Sequence, residues 1–175
     1  FADSTGLELS ADKFLTASIL FKDLLKKELQ TQNVGLLLPS TAAGAFINYS
    51  MLLMGKTAVN LNYTSEMESI KQSIQAAQIS TVITSKKFVE KLELKGINIK
   101  EVFDLVNVIY LEDLKEKISK RRSLFTFLSV KFLPCFLLKI IHLTKTNKDD
   151  TVLILFSSGS EGKPKGVELT GDNIL

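Results

Sequence analysis

Short apolar runs alternate with helix-period segments along most of the chain, and that alternation limits its fold more than any other feature. "VGLLLP" at residues 34–39 is an apolar run stopped by proline, read as a strand buried on both faces. Before it, Ser10 can cap a helix whose apolar positions Phe14, Ala17, Phe21, Leu24, Leu25 and Leu29 recur at steps of three and four, ending near Gln32. After it, Ser40 or Thr41 opens a helix through Met54, and Gly55 stops it. The scheme then repeats. A strand over 57–60 leads to a helix that a Ser65/Glu68 capping box starts and that runs to about Gln78, followed by a strand over 81–84. A helix over 86–94, a strand over 106–111, a helical region over 112–142 and a strand over 151–156 complete the pattern. Strands alternating with helices through short connections predict an α/β fold: a mostly parallel sheet with helices on both faces.

Composition agrees with one folded domain. The 175 residues are 45% apolar and 23% charged, ordinary globular usage. A net charge of +3 with no Lys/Arg stripe interleaved with aromatics argues against a nucleic-acid partner. One cysteine, Cys135, is read as a small buried hydrophobe, and the single His142 as a helix residue; together they exclude a disulfide and a two-histidine metal site. The apolar stretch 121–143 is broken by Lys131, Pro134 and Lys139, leaving uncharged runs of eight and seven residues, far short of the roughly twenty a spanning helix needs. Two readings of it stay open: an amphipathic helix pair covering a core face, or a segment lying on a membrane surface or on a further domain.

The chemistry concentrates at residues 157–166, "SSGSEGKPKG". Gly159, Gly162 and Gly166 allow positive φ and close approach of the backbone to a ligand; Ser157, Ser158 and Ser160 add hydroxyl groups; Lys163 and Lys165 add positive charge. These residue types make an anion cradle suited to a polyphosphate. A solubilising hairpin loop is the plain alternative. The Walker pattern fails at both ends, with Ser157 where its first glycine belongs and Pro164 after Lys163, and G-x-G-x-x-G is absent.

The segment resembles the phosphate-binding signature [ST]-[ST]-G-[ST]-[TE]-G-x-P-K-G of the adenylate-forming, AMP-binding superfamily of acyl-CoA synthetases, luciferases and peptide-synthetase adenylation domains. The likeness extends upstream over most of 34–175. Most members carry threonine at the position of Glu161. "SGSEG", "LNYTSEMESI", "ITSKKFVEKLEL" and "VIYLEDLKEKI" look like the acyl-ACP synthetase part of bacterial 2-acylglycerophosphoethanolamine acyltransferase/acyl-ACP synthetases. The resemblance implies that 1–175 is the N-terminal part of a truncated acyl-adenylating domain, with Asp3, Ser4, Thr5 and Gly6 in an opening hairpin. It implies a ligase using ATP and Mg²⁺ that joins a fatty acid to acyl carrier protein, or to coenzyme A, and serves lysophospholipid reacylation at the cytoplasmic face of the bacterial inner membrane. The ATP phosphates fall to Ser157, Ser158, Gly159, Ser160, Glu161, Gly162, Lys163, Lys165 and Gly166, and Glu161 is the candidate Mg²⁺ ligand. No catalytic residue is implied within the chain, since the adenine, acyl and catalytic-lysine motifs are expected past Leu175. A non-catalytic anion-binding module is the alternative of a different class.

Overall fold

The computed structural model describes residues 8–145, 147–157 and 164–174. Helix α1 (Ala11–Glu28) leads into strand β1 (Asn33–Leu36); α2 (Ala42–Met54), β2 (Thr57–Asn60), α3 (Met67–Ala76), β3 (Thr81–Thr84), α4 (Lys86–Leu94), α5 (Lys100–Phe103) and β4 (Asn107–Tyr110) follow. Then come α6 (Leu111–Glu116), α7 (Lys120–Phe132), α8 (Cys135–His142), β5 (Thr151–Ser157), β6 (Lys165–Thr170) and α9 (Gly171–Ile174). The six strands lie in the order β4-β3-β1-β2-β5-β6, parallel except for β6, which pairs antiparallel with β5 as a hairpin at the edge.

Right-handed crossovers fix which helix covers which face. Steps in one direction along the sheet, β1 to β2 and β4 to β5, carry α2 and α6–α8; steps in the other, β2 to β3 and β3 to β4, carry α3, α4 and α5. The core divides the same way. Phe21, Leu25, Ile47, Met51, Leu111 and Leu114 of α1, α2 and α6 pack on Val34, Leu36, Ala58 and Ile83. Ile70, Ile74, Phe88, Leu92 and Val102 of α3, α4 and α5 pack on Val59, Val82 and Ile154. Neighbouring strand residues thus go to opposite clusters, the period-2 alternation of a sheet buried on both sides. Gly35 leaves room on the second face: a Cβ there would stand 2.9 Å from Val82 Cγ2 and 3.1 Å from Ile79 Cγ2.

Local signals account for most ends. Ser10 accepts from the Lys13 N–H and caps α1, and Gly55 closes α2 with φ 67°, a left-handed stop that glycine adopts without strain. Four expectations change. Helix α1 ends at Glu28 rather than Gln32, because buried Leu29 turns the chain toward the sheet and the Gln32 carbonyl already accepts the Thr57 N–H at 3.1 Å. The capping box does not start α3: Asn62 Oδ1 takes both the N–H and the hydroxyl of Thr64, at 3.0 and 2.7 Å, and the cap falls on Glu66 without a side-chain bond. The short α5 is additional, while the helical region over 112–142 holds as α6, α7 and α8, the last two forming the helix pair read at 121–143. Cys135 is exposed, since it opens α8, a helix with no buried residue.

The pair α7–α8 makes a third layer, in which Val130 of α7 closes a small buried cluster with Ile19 of α1 and Leu53 of α2 while α8 buries no residue. Only Thr126 and Val130 of α7 are buried, and α7 packs against α1. That contact explains why α1 is buried on two sides and why Lys22 is only 7% exposed. Its ammonium donates to the His142 carbonyl at 3.2 Å, lies 3.4 Å from His142 Nδ1 and pairs with Asp23 at 3.2 Å. Among the described residues no helix is long and apolar enough to cross a membrane.

Candidate functional site

In a doubly wound sheet, ligands sit outside the carboxyl ends of the strands, where successive connections leave to opposite faces. Here that point lies between β1, whose chain continues into α2 on one face, and β2, whose chain continues into α3 on the other. A cleft of about 660 Å³ opens there. Pro39, Thr41 and Gly44 from the start of α2, Asn60 and Tyr63 from the end of β2, and Phe156 of β5 are among its lining residues. The walls are tied together. Asn48 of α2 and Asn60 exchange side-chain amide hydrogen bonds at 3.2 and 3.0 Å, and Asn48 Nδ2 also donates to the Gly44 carbonyl at 2.9 Å. Gly44 is pressed against the loop before it: a Cβ would lie 2.7 Å from the Pro39 carbonyl oxygen.

Strand β5 runs parallel to β2 and pairs with β6, so Ser157 and Lys165 reach the same carboxyl edge. They face each other in register at the base of the hairpin, and Ser157 Oγ donates to the Lys165 carbonyl at 3.5 Å. Both side chains are exposed. Gly166 pairs with Phe156, and a Cβ on it would approach that ring to 3.2 Å. Positive φ at Gly166 is therefore a correction: the residue is in extended strand, and what it supplies is room for the ring. Ser158, Gly159, Ser160, Glu161, Gly162 and Lys163 lie outside the described residues, as do Asp3, Ser4, Thr5 and Gly6.

Helix α3 contributes side chains that the motif did not flag. Ser69 and Ser73 on α3, and Ser65 four residues earlier in the turn before it, line a cavity of about 10 Å³ at the hairpin base together with Asn62, Ser157 and Pro164. That is space for about one water among hydroxyl groups. The i, i+4 spacing of Ser69 and Ser73 on a helix that follows a strand end is the signal that could have found them. Among the described residues no group of three or more His, Cys, Asp or Glu is placed to hold a metal ion.

One carboxylate near this edge has an assigned structural task. Glu112 of α6 accepts from Ser85 Oγ at 2.8 Å and from the Lys86 N–H at 2.9 Å, placing negative charge at the N-terminus of α4. Partial burial works against its ionisation, yet those hydrogen bonds outweigh it and hold the carboxyl below its ordinary value.

Fold and edge together define a doubly wound α/β domain with a ligand crevice at the carboxyl ends of its strands. The chain belongs to the AMP-binding enzyme family, whose model matches residues 22–175. It is 28% identical over 145 residues to 4-coumarate–CoA ligase-like 6 of Arabidopsis thaliana, a match that covers 81% of this chain and 23% of the relative. The fold is shared with o-succinylbenzoate coenzyme A synthetase of Bacillus subtilis in complex with AMP, at a TM-score of 0.64 and 18% identity over 90% of this chain and 35% of that one. It is shared equally with the inhibitor-bound N-terminal domain of FACL13 from Mycobacterium tuberculosis, at 0.66 and 18% over 96% and 39%. The chain thus spans about a quarter to two fifths of the length of these relatives.

Proposed function

We propose that this chain supplies the N-terminal part, with the ATP-phosphate grip, of a ligase that activates a fatty acid as its adenylate and passes it to acyl carrier protein. The observation that carries this reading is that β5 and β6, the strands on either side of this segment, pair with Ser157 opposite Lys165 at the carboxyl edge of the sheet, next to Leu155 and Phe156 of the cleft. In the reaction, a carboxylate oxygen bonds to the α-phosphorus of ATP, the bond to the β-phosphate oxygen breaks, and pyrophosphate leaves. A thiol then attacks the acyl carbon and AMP departs; in a further step the acyl group goes to a lysophospholipid.

The role of this chain is positioning and charge stabilisation, the main levers in such displacements. Ser157, Ser158 and Ser160 donate hydroxyl hydrogen bonds to the β- and γ-phosphates, and Gly159, Gly162 and Gly166 let the backbone come close. Lys165 neutralises the leaving pyrophosphate, with Lys163 beside it. Glu161 is a carboxylate among phosphates and would be repelled unless it faces Mg²⁺ or a lysine. We assign it to Mg²⁺, an ion that when bound spreads the phosphate charge. Ser157 and Lys165, facing each other at the hairpin base, suit such a site by holding the loop's two ends together.

Coenzyme A as acceptor is the second reading, favoured by the names of the relatives, which include a 4-coumarate–CoA ligase-like protein and a coenzyme A synthetase. Fatty-acid-dependent exchange of pyrophosphate into ATP, measured on a longer protein containing this chain, tests the activation step. Supplying acyl carrier protein or coenzyme A afterwards identifies the acceptor. No exchange with any carboxylic acid would leave the non-catalytic anion-binding module.

A further inference from the structure

Helices α7 and α8 expose more apolar surface than a solvated surface helix needs. On α7 the two buried positions, Thr126 and Val130, define one side. At 100° per residue, Leu124, Leu128 and Phe132 run in steps of four along the opposite side with Phe125 next to them. Phe125 and Phe132 are 75% and 73% exposed. Across Pro134, α8 buries nothing and presents Phe136 and Ile140, again four apart, with Ile140 74% exposed. Contiguous exposure on this scale marks an interaction site rather than scattered surface residues.

Charge says what kind of partner. Residues 117–148 contain eight Lys or Arg and no Asp or Glu. Taking this +8 from the chain's +3 leaves the remainder at −5, so cationic charge is segregated onto the segment that carries the exposed aromatics. Three of the eight pair with carboxylates of the body, Lys117 with Glu28, Arg122 with Asp23 and Lys148 with Asp172, whereas Lys120, Arg121, Lys131, Lys139 and Lys145 have no carboxylate at salt-bridge distance among the described residues. An apolar stripe flanked by such cations matches anionic headgroups above acyl chains. Lys131 sits as an anchor at that boundary would: its ammonium lies over the rings of Phe127 and Phe132, at 6.0 and 5.9 Å from their centroids, on a stem long enough to reach the headgroups while the rings go deeper. The body of the protein stays above, since α7 packs through Thr126 and Val130 onto α1 and Thr144, just past α8, donates its N–H to the Leu53 carbonyl at 3.0 Å.

We infer that α7 and α8 dock this protein in the interfacial plane of an anionic lipid bilayer, by its surface and without crossing it. The probe is co-sedimentation with vesicles of phosphatidylcholine alone or with about one-third phosphatidylglycerol, using the 175-residue chain and a longer protein that contains it. Binding is expected for the anionic vesicles, weakening with salt. It should fall by at least about tenfold in the double variant Phe132→Glu/Ile140→Glu and likewise in Lys131→Glu/Lys139→Glu. All these side chains are exposed, so circular dichroism and thermal melting should match the parent. Failure to sediment, equal binding to neutral vesicles, or binding that survives both double variants overturns the inference. So does a dimer that the apolar variant abolishes, which would assign the face to a second copy. Binding by the 175-residue chain that the longer protein lacks would assign it instead to the rest of that protein.

Discussion

Replacing Gly44 by alanine sets two effects of known size against each other. Alanine is the better helix former by about 1 kcal/mol in a helix interior, so propensity alone predicts a stabilised α2. The new Cβ, however, would stand 2.7 Å from the Pro39 carbonyl oxygen, and an ordinary contact needs at least 3.4 Å. That oxygen is backbone and already accepts the Thr41 N–H at 2.8 Å, so moving it by about 0.7 Å disturbs the turn that starts the helix. Overpacking of this kind costs about 1–3 kcal/mol. With the propensity gain subtracted, the net loss is about 0–2 kcal/mol, or a melting temperature lower by up to about 8 °C for a chain of this length. Thermal and urea unfolding followed by circular dichroism measure it, with Ala45→Gly, on the same helix, calibrating the propensity contribution. A Gly44→Ala protein more stable than the parent by about 1 kcal/mol, the whole propensity gain, would show that the Pro39 turn yields freely and that the rim of the cleft is not rigid.

Glu112→Gln should lose about 1–2 kcal/mol at neutral pH, because the charge at the start of α4 goes while the hydroxyl and N–H donors remain. Since the Glu112 carboxyl titrates below its ordinary 4.5, its contribution is present above that value and lost as pH falls through the folded-state pKa, so the variant's acid-unfolding curve should be flatter there. His142 behaves in the opposite chemical sense: burial first, then the Lys22 ammonium, pushes its imidazole below 6.5 against the weaker pull of Asp23. The folded state binds that proton less readily than the unfolded chain, so stability is unaffected well above pH 6.5 and declines on acidification below it. His142→Gln should remove that decline, as read from melting temperatures between about pH 5 and 7. Glu161→Gln in a longer, active protein should raise the Mg²⁺ concentration needed for adenylation; unchanged Mg²⁺ dependence and rate would refute the metal assignment.

The parallel core was legible because both signals it uses are local. "VGLLLP" carries no polar side chain and "TVIT" is a β-branched run with no charge, as suits strands covered on both faces, and Gly55 marks the end of α2 through its own backbone freedom. Errors arose where a group outside the local pattern decided the outcome. Asn62 captured the turn that Ser65 and Glu68 alone would have closed as a capping box. Cys135 has the composition of a core residue, yet it sits on a helix that packs outside the core. At the site, the glycine- and serine-rich motif was readable as a string of residue types, whereas Ser69 and Ser73 of α3 meet Ser157 only when β2 and β5 lie side by side, and the Asn48–Asn60 amide pair forms only when α2 packs back on β2.

The central claim is that residues 157–166 grip the phosphates of ATP, and amide chemical shifts of the 175-residue chain test it most directly. Titrating Mg²⁺-pyrophosphate, and separately Mg²⁺-ATP, into the labelled protein should move the amides of Ser157, Lys165 and Gly166 together with those between them, saturably, while the amides of β3 and β4 stay in place. Lys165→Ala should weaken both titrations. If neither ligand shifts the 157–166 amides at millimolar concentration, or if the shifts are as large on β4 as on the hairpin, the segment is a structural loop and the assignment fails.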